Sequence, residues 1–105
     1  MVTYYKTIEG FICPIEACEP GCWINCINPD EAEINRLIQE FSIEPDFFRA
    51  AMDEEESSHL DSEDGNTLVI LDIPVVDLED DHLTYFTRPL GIILTEKNVI
   101  TVSVH

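Results

Sequence analysis

The chain is 105 residues long, 45% hydrophobic, and carries 22 acidic against five basic side chains, a formal net charge of -17. That length supports one modest hydrophobic core and leaves no room for a second domain, so residues 1–105 read as a single unit. So acidic a surface repels nucleic acid and anionic lipid and attracts small cations, which excludes duplex binding.

Val2 to Thr7 reads as a strand, Glu9-Gly10 as a turn, and Phe11 to Cys13 as the returning strand of a hairpin. After an irregular stretch from Pro14 to Gly21, Trp23 to Ile27 forms a further strand. Asn28 is the expected helix cap, with Pro29 at the first helical position and Glu31 three residues after the cap. Ile34, Leu37, Ile38 and Phe41 recur at helical spacing and form one apolar stripe, with Asp30, Glu33, Arg36 and Glu40 on the remaining surface. Pro45 opens a second, short helix whose buried side is Phe47, Phe48, Ala51 and Met52.

Asp53 to Glu56 is an acidic loop. Ser58 to Glu63 then reads as a strand turned by Asp64-Gly65-Asn66 into Thr67 to Ile73, whose near-continuous apolar character predicts a central strand buried on both faces. A second acidic loop, Asp77 to Asp81, precedes strands at Leu83 to Thr87 and Leu90 to Thr95. A Glu96-Lys97-Asn98 turn leads into a last strand over Val99 to Val104. Strands on either side of a helical pair predict an α/β (α+β) fold, a mixed β-sheet layered with helices.

The longest apolar run, Leu68 to Val76, is broken by Asp72 and Pro74 and falls short of the roughly twenty residues that span a bilayer. The amino terminus has no basic region leading into an apolar core, so no secretory signal is expected. The chain reads as cytoplasmic.

The order Cys22-Trp23-Ile24-Asn25, Asn28-Pro29-x-Glu31, Phe41-x-Ile43-x-Pro45, then Ile70-Leu71-Asp72-Ile73-Pro74 and Pro89-Leu90-Gly91-Ile92-Ile93-Leu94 resembles the CorA family of magnesium and divalent-cation transporters. The resemblance runs from Tyr4 to Val104 and is to the family's cytoplasmic amino-terminal domain. It implies a fragment of a longer membrane protein, lacking the stalk and the two transmembrane helices with their Gly-Met-Asn signature. It also implies a mixed sheet between helical layers, with one layer thin or absent when the stalk is missing. The implied function is cation-dependent gating and subunit assembly at the cytoplasmic face of the membrane. The partners it implies are four further copies in a homopentamer and divalent cations, with Mg2+ as the regulatory ion. Aligned on Pro45, the family's acidic pair in the second helix falls on Arg49 and Ala50, neither of which binds a cation. The expected metal ligands therefore move to Asp53 and Glu54 at the end of the same helix.

Other chemistry is weaker. The acids from Asp53 to Asp64 and from Asp77 to Asp81 form two blocks with no intervening Lys or Arg. Single members of such blocks are ordinarily solvated surface residues. Asp61-Ser62-Glu63-Asp64-Gly65-Asn66 superficially suggests a calcium loop, but its glycine is one position early, and a hairpin turn is expected. Cys13, Cys18, Cys22 and Cys26 follow a C-x4-C-x3-C-x3-C spacing without the paired knuckles of a zinc site, so zinc is not expected and the thiols read as free, buried or incidental, with a redox switch as the other alternative. Cys22 and Cys26 fall on one face of their strand. His59, His82 and His105 read as surface residues. With no Ser-His-Asp set and no glycine-rich phosphate loop, the chain is not read as an enzyme. The reading from another class is a free-standing acidic domain that binds a basic partner or divalent ions with no link to transport. A small zinc-thiolate domain is a third.

Overall fold

A computed structural model of the chain describes residues 1–104. Strands β1 (Val2–Ile8), β2 (Phe11–Ile15) and β3 (Trp23–Ile27) precede helices α1 (Glu31–Phe41) and α2 (Pro45–Ala51). Strands β4 (His59–Glu63), β5 (Asn66–Glu79), β6 (His82–Leu94) and β7 (Val99–Ser103) complete the chain. They form one seven-stranded sheet in the order β2-β1-β3-β7-β6-β5-β4. The β3–β7 pair is parallel and the other neighbours are antiparallel, so the sheet is mixed.

Register explains the core. Ile24, Ile100, Ile93 and Leu68 are successive cross-strand partners, and Cys26, Val102, Gly91 and Ile70 form the next row. Side chains in a strand alternate between faces, so both rows point the same way, toward Leu37 of α1 and Phe47, Phe48 and Ala51 of α2. All of these except Gly91 belong to the buried apolar cluster.

The intervening residues lie on the other face, which no described element covers. Trp23 and Leu71 are 37% and 45% exposed there. Thr67 to Ile73 is therefore not a central strand buried on both faces. It lies in β5, next to the edge strand β4, with Leu68 and Ile70 buried and Leu71 outward. The run is apolar on both faces, but helices cover only one.

Other boundaries also differ from expectation: β2, at the edge of the sheet, runs on through Pro14 to Ile15 rather than ending at Cys13. The cap of α1 is Asp30, whose carboxylate accepts from the Glu33 backbone N–H at 2.8 Å while the Glu33 carboxylate accepts from the Asp30 N–H at 3.0 Å. The sequence holds two overlapping capping patterns, Asn28…Glu31 and Asp30…Glu33. The second is used because Asn28 takes a left-handed φ of 44° to leave β3, donating its N–H to the Ser103 carbonyl at 2.7 Å. Asp30→Ala should cost about 1 kcal/mol. Asn28→Gly should be neutral or slightly stabilising, because glycine adopts that φ freely. Urea midpoints of the two variants would check both.

Asp77 to Asp81 is not a loop but the end of β5 and the tip of a hairpin, with Asp80 and Asp81 at φ 49° and 62° between the paired Glu79 and His82. Leu83–Thr87 and Leu90–Thr95 are likewise one strand, β6. Beyond Ile70 and Gly91, the last residues paired with β4 and β7, the hairpin continues as a two-stranded arm. Pro74 and Pro89 lie in that arm, where each strand has a free edge and a missing N–H costs no ladder bond on that side.

Candidate functional site

Helix α2 is short because Pro45 fixes its first turn and Met52 closes it, with the Met52 N–H donating to the Phe48 carbonyl at 3.0 Å. The chain then turns tightly. The Asp53 carboxylate accepts the Glu55 N–H at 3.0 Å, and the Asp53 carbonyl accepts the Glu56 N–H at 3.1 Å. This places the acidic segment Asp53–Glu56 at the carboxyl end of the helix, the negative end of its dipole, which favours a cation.

Asp53 and Glu54 are both exposed, and each lines a different hollow. Asp53 lines an open hollow of about 270 Å³ with Asp46, Arg49, Ala50 and Glu56. Glu54 lines a neighbouring hollow of about 350 Å³ with Glu55, Phe86, Thr87, Arg88 and Pro89. Each hollow has one guanidinium: Arg49 is ion-paired with Asp46, and Arg88 lies 4.7 Å from the centre of the Phe86 ring. Ala50 is half-buried against the core. Arg49 and Ala50 are therefore a paired cation and a packing methyl. Among the described residues no three His, Cys, Asp or Glu side chains come together as a metal site.

The remaining candidates are scattered. His59 is exposed, 2.7 Å from the Ser57 carbonyl and 3.4 Å from the Glu56 carboxylate. His82 is exposed at the arm's tip, and His105 lies outside the described residues. Asp64 and Gly65 form a two-residue hairpin turn with φ 53° and 83°, as the hairpin reading of that segment expects. The four cysteines are free: Cys22 and Cys26 are buried on the helix side of the sheet, and Cys13 and Cys18 are half-buried.

Two local clusters had no signal in the sequence. On the open face, the Trp23 indole donates to the Thr101 hydroxyl at 2.8 Å, and Thr101 donates to the Asn25 side-chain carbonyl at 2.9 Å. On the covered face, the buried Asn98 amide donates to the Glu19 and Cys22 carbonyls at 3.0 and 3.1 Å. Both depend on contacts made across the sheet.

The family model for CorA-like Mg2+ transporter protein matches residues 19–104. The chain belongs to that family. The CorA fold is seen as well in two solved structures from Methanocaldococcus jannaschii. One is the complete CorA magnesium transporter, at 17% identity and a TM-score of 0.73, covering 100% of this chain and 32% of that one. The other is the soluble domain of CorA, at 19% identity and a TM-score of 0.73, covering 99% of this chain and 40% of that one. The chain thus spans well under half the length of either CorA structure. No curated protein matches it in sequence. Among the described residues no helix is long and apolar enough to cross a membrane. The CorA soluble-domain architecture, a mixed sheet layered with helices, is the one observed here.

Proposed function

We propose that this domain is the regulatory module of a CorA-like magnesium transporter, placed at the cytoplasmic face of the membrane and joined to membrane helices outside this sequence. In the assembled homopentamer its acidic surface meets that of a neighbouring copy, and Mg2+ between them holds the closed arrangement. The ion acts on gating only through tighter binding to the closed state than to the open one, since equal affinity would shift nothing. The observation that carries this reading is the acidic segment Asp53–Glu56 at the end of α2, on a fold shared with CorA and a chain of net charge -17.

Asp53 and Glu54 fit a magnesium ion as exposed oxygen donors. Mg2+ keeps several of its waters and is commonly held by one or two carboxylates. The separation of Asp53 and Glu54 into adjacent hollows suits contact through retained water rather than direct chelation by both. Arg49 remains tied to Asp46 and does not neutralise the whole segment.

Thermal unfolding tests this reading, measured first in chelator and then across millimolar MgCl2, with NaCl matched for ionic strength. A ligand bound only by the folded state raises Tm with concentration, whereas screening responds to ionic strength alone. The expected result is a magnesium-specific rise of a few degrees that Asp53→Ala or Glu54→Ala diminishes. A rise that matched NaCl reproduces would reduce the acidity to general charge relief.

A further inference from the structure

Cys18 and Cys22 approach each other closely, with their sulfurs 3.2 Å apart. The backbone arranges this. Glu19-Pro20-Gly21-Cys22 is a tight turn closed by the Cys22 N–H donating to the Glu19 carbonyl at 3.0 Å, with Gly21 at φ 85°. Proline followed by glycine at positive φ is the chemistry of a type II turn, which reverses the chain and returns Cys22 beneath Cys18.

The turn is also anchored to the β6–β7 connection. The Gly21 N–H donates to the Lys97 carbonyl at 2.8 Å, and the Asn98 amide reaches the Glu19 carbonyl at 3.0 Å, the Cys22 carbonyl at 3.1 Å and the Cys22 sulfur at 3.3 Å. Two thiols are therefore held in contact by a turn that has little freedom to separate them.

We propose that Cys18 and Cys22 are a modification site, a dithiol that closes reversibly to a disulfide by exchange with a small-molecule disulfide. Cys18 is the entry point: it lines an open cleft of about 600 Å³ with Tyr4, Glu16, Glu33 and Arg36, while Cys22 is 1% exposed. The Cys18 thiolate attacks one sulfur of the small disulfide, forming a mixed disulfide and expelling one small thiolate. The Cys22 thiolate then attacks the Cys18 sulfur, forming the Cys18–Cys22 bond and expelling the second. Two electrons leave the protein thiols and reduce the small disulfide to two thiols, which take up the two protons. The protein sulfurs need to close by only about 1 Å to reach bonding distance.

Burial, reinforced by the Cys22 contact, pushes the Cys18 thiol from 9.0 up to about 12. The thiolate that reacts is thus scarce at neutral pH, and the first exchange is slow and accelerates as pH rises. The cleft carries Glu16, Glu33 and Glu40 against Arg36, so a cationic disulfide should react several-fold faster than an anionic one at low ionic strength.

The test treats the reduced protein with cystamine at pH 8.5, quenches with acid, alkylates under denaturing conditions, and reads intact mass and fragment ions. The expected product has lost two hydrogens, with two of the four thiols no longer alkylated and the link mapped to Cys18 and Cys22. Its Tm should rise by a few degrees and return on reduction with dithiothreitol. Cys18→Ser, at a half-buried position that should tolerate it, should abolish the internal link. A lasting cystamine adduct on Cys18 with Cys22 still alkylated would overturn the proposal, as would four free thiols after prolonged exposure or a link that survives in Cys18→Ser.

Discussion

Gly91→Ala should destabilise the domain by about 3 kcal/mol and lower Tm by about 15 °C. A Cβ built on Gly91 would meet the Ala51 Cβ at 2.4 Å and the Ala51 Cα at 3.2 Å, with the Ile70 Cδ1 at 3.6 Å. The first distance is far inside contact, and neither partner is the movable end of a long side chain. Relief requires α2 to lift from β6, and with it Phe47 and Phe48, two of the largest buried side chains.

Helix α2 meets the sheet through a pair of small residues, and the glycine of Pro89-Leu90-Gly91-Ile92-Ile93-Leu94 is needed there as a landing place rather than for backbone freedom. Ala51→Gly alone should cost about 1 kcal/mol, from a lost methyl and a weaker helix end. Combined with Gly91→Ala it should recover a good part of the loss, because the closest contact disappears. Urea unfolding of the two single variants and the double variant measures the coupling. If the two costs simply add, steric conflict between these positions is not the cause.

The same region marks how far the amino-acid sequence could be read. The passage from Trp23 through α1 and α2 was legible because strand alternation, helical spacing and Pro45 all agree. The cap of α1 is ambiguous in the sequence by two residues because Asn28 and Asp30 both precede a glutamate by three, and only the β3–β7 pairing forces Asn28 into its turn. The β5–β6 arm looks fragmented in the sequence for a different reason. Pro74 and Pro89 look like strand breakers until the sheet order places them on free edges. Asp80-Asp81 makes its two-residue turn without the glycine that usually announces one. Among the candidate ligands, the sequence could place Asp53 and Glu54 at a helix end. Their division between two hollows depends on the Asp53–Glu55 turn and on the nearby arm of β6, neither of which leaves a periodic signal.

Alkaline lability should exceed what the net charge alone produces, and Cys26 should carry a large share of it. Cys26 is fully buried in β3 between Val2 and Val102. Burial, with a smaller push from the Glu33 carboxylate, raises its thiol from 9.0 to about 12, against the opposing pull of the amino terminus and Arg36. Below pH 9 folded and unfolded chains both hold this proton, so it contributes no pH dependence. Above pH 9 the unfolded chain releases it while the folded chain retains it, so stability falls by about 1.4 kcal/mol per pH unit. By pH 12 the accumulated loss from this one group is about 4 kcal/mol.

Cys18 acts in the same window with a smaller effect, because solvent reaches its sulfur, and Tyr4, raised chiefly by burial, adds to the loss above pH 10. Urea unfolding under reductant at pH 8 and pH 10.5 should show Cys26→Ala starting less stable, since it leaves a small cavity, yet losing about 2 kcal/mol less than the parent over that interval. Parallel profiles would assign the alkaline loss to charge repulsion, which the variant leaves unchanged. The buried thiol therefore acts in two directions: its sulfur fills the core at neutral pH, and its proton ties the core's stability to the alkaline limit.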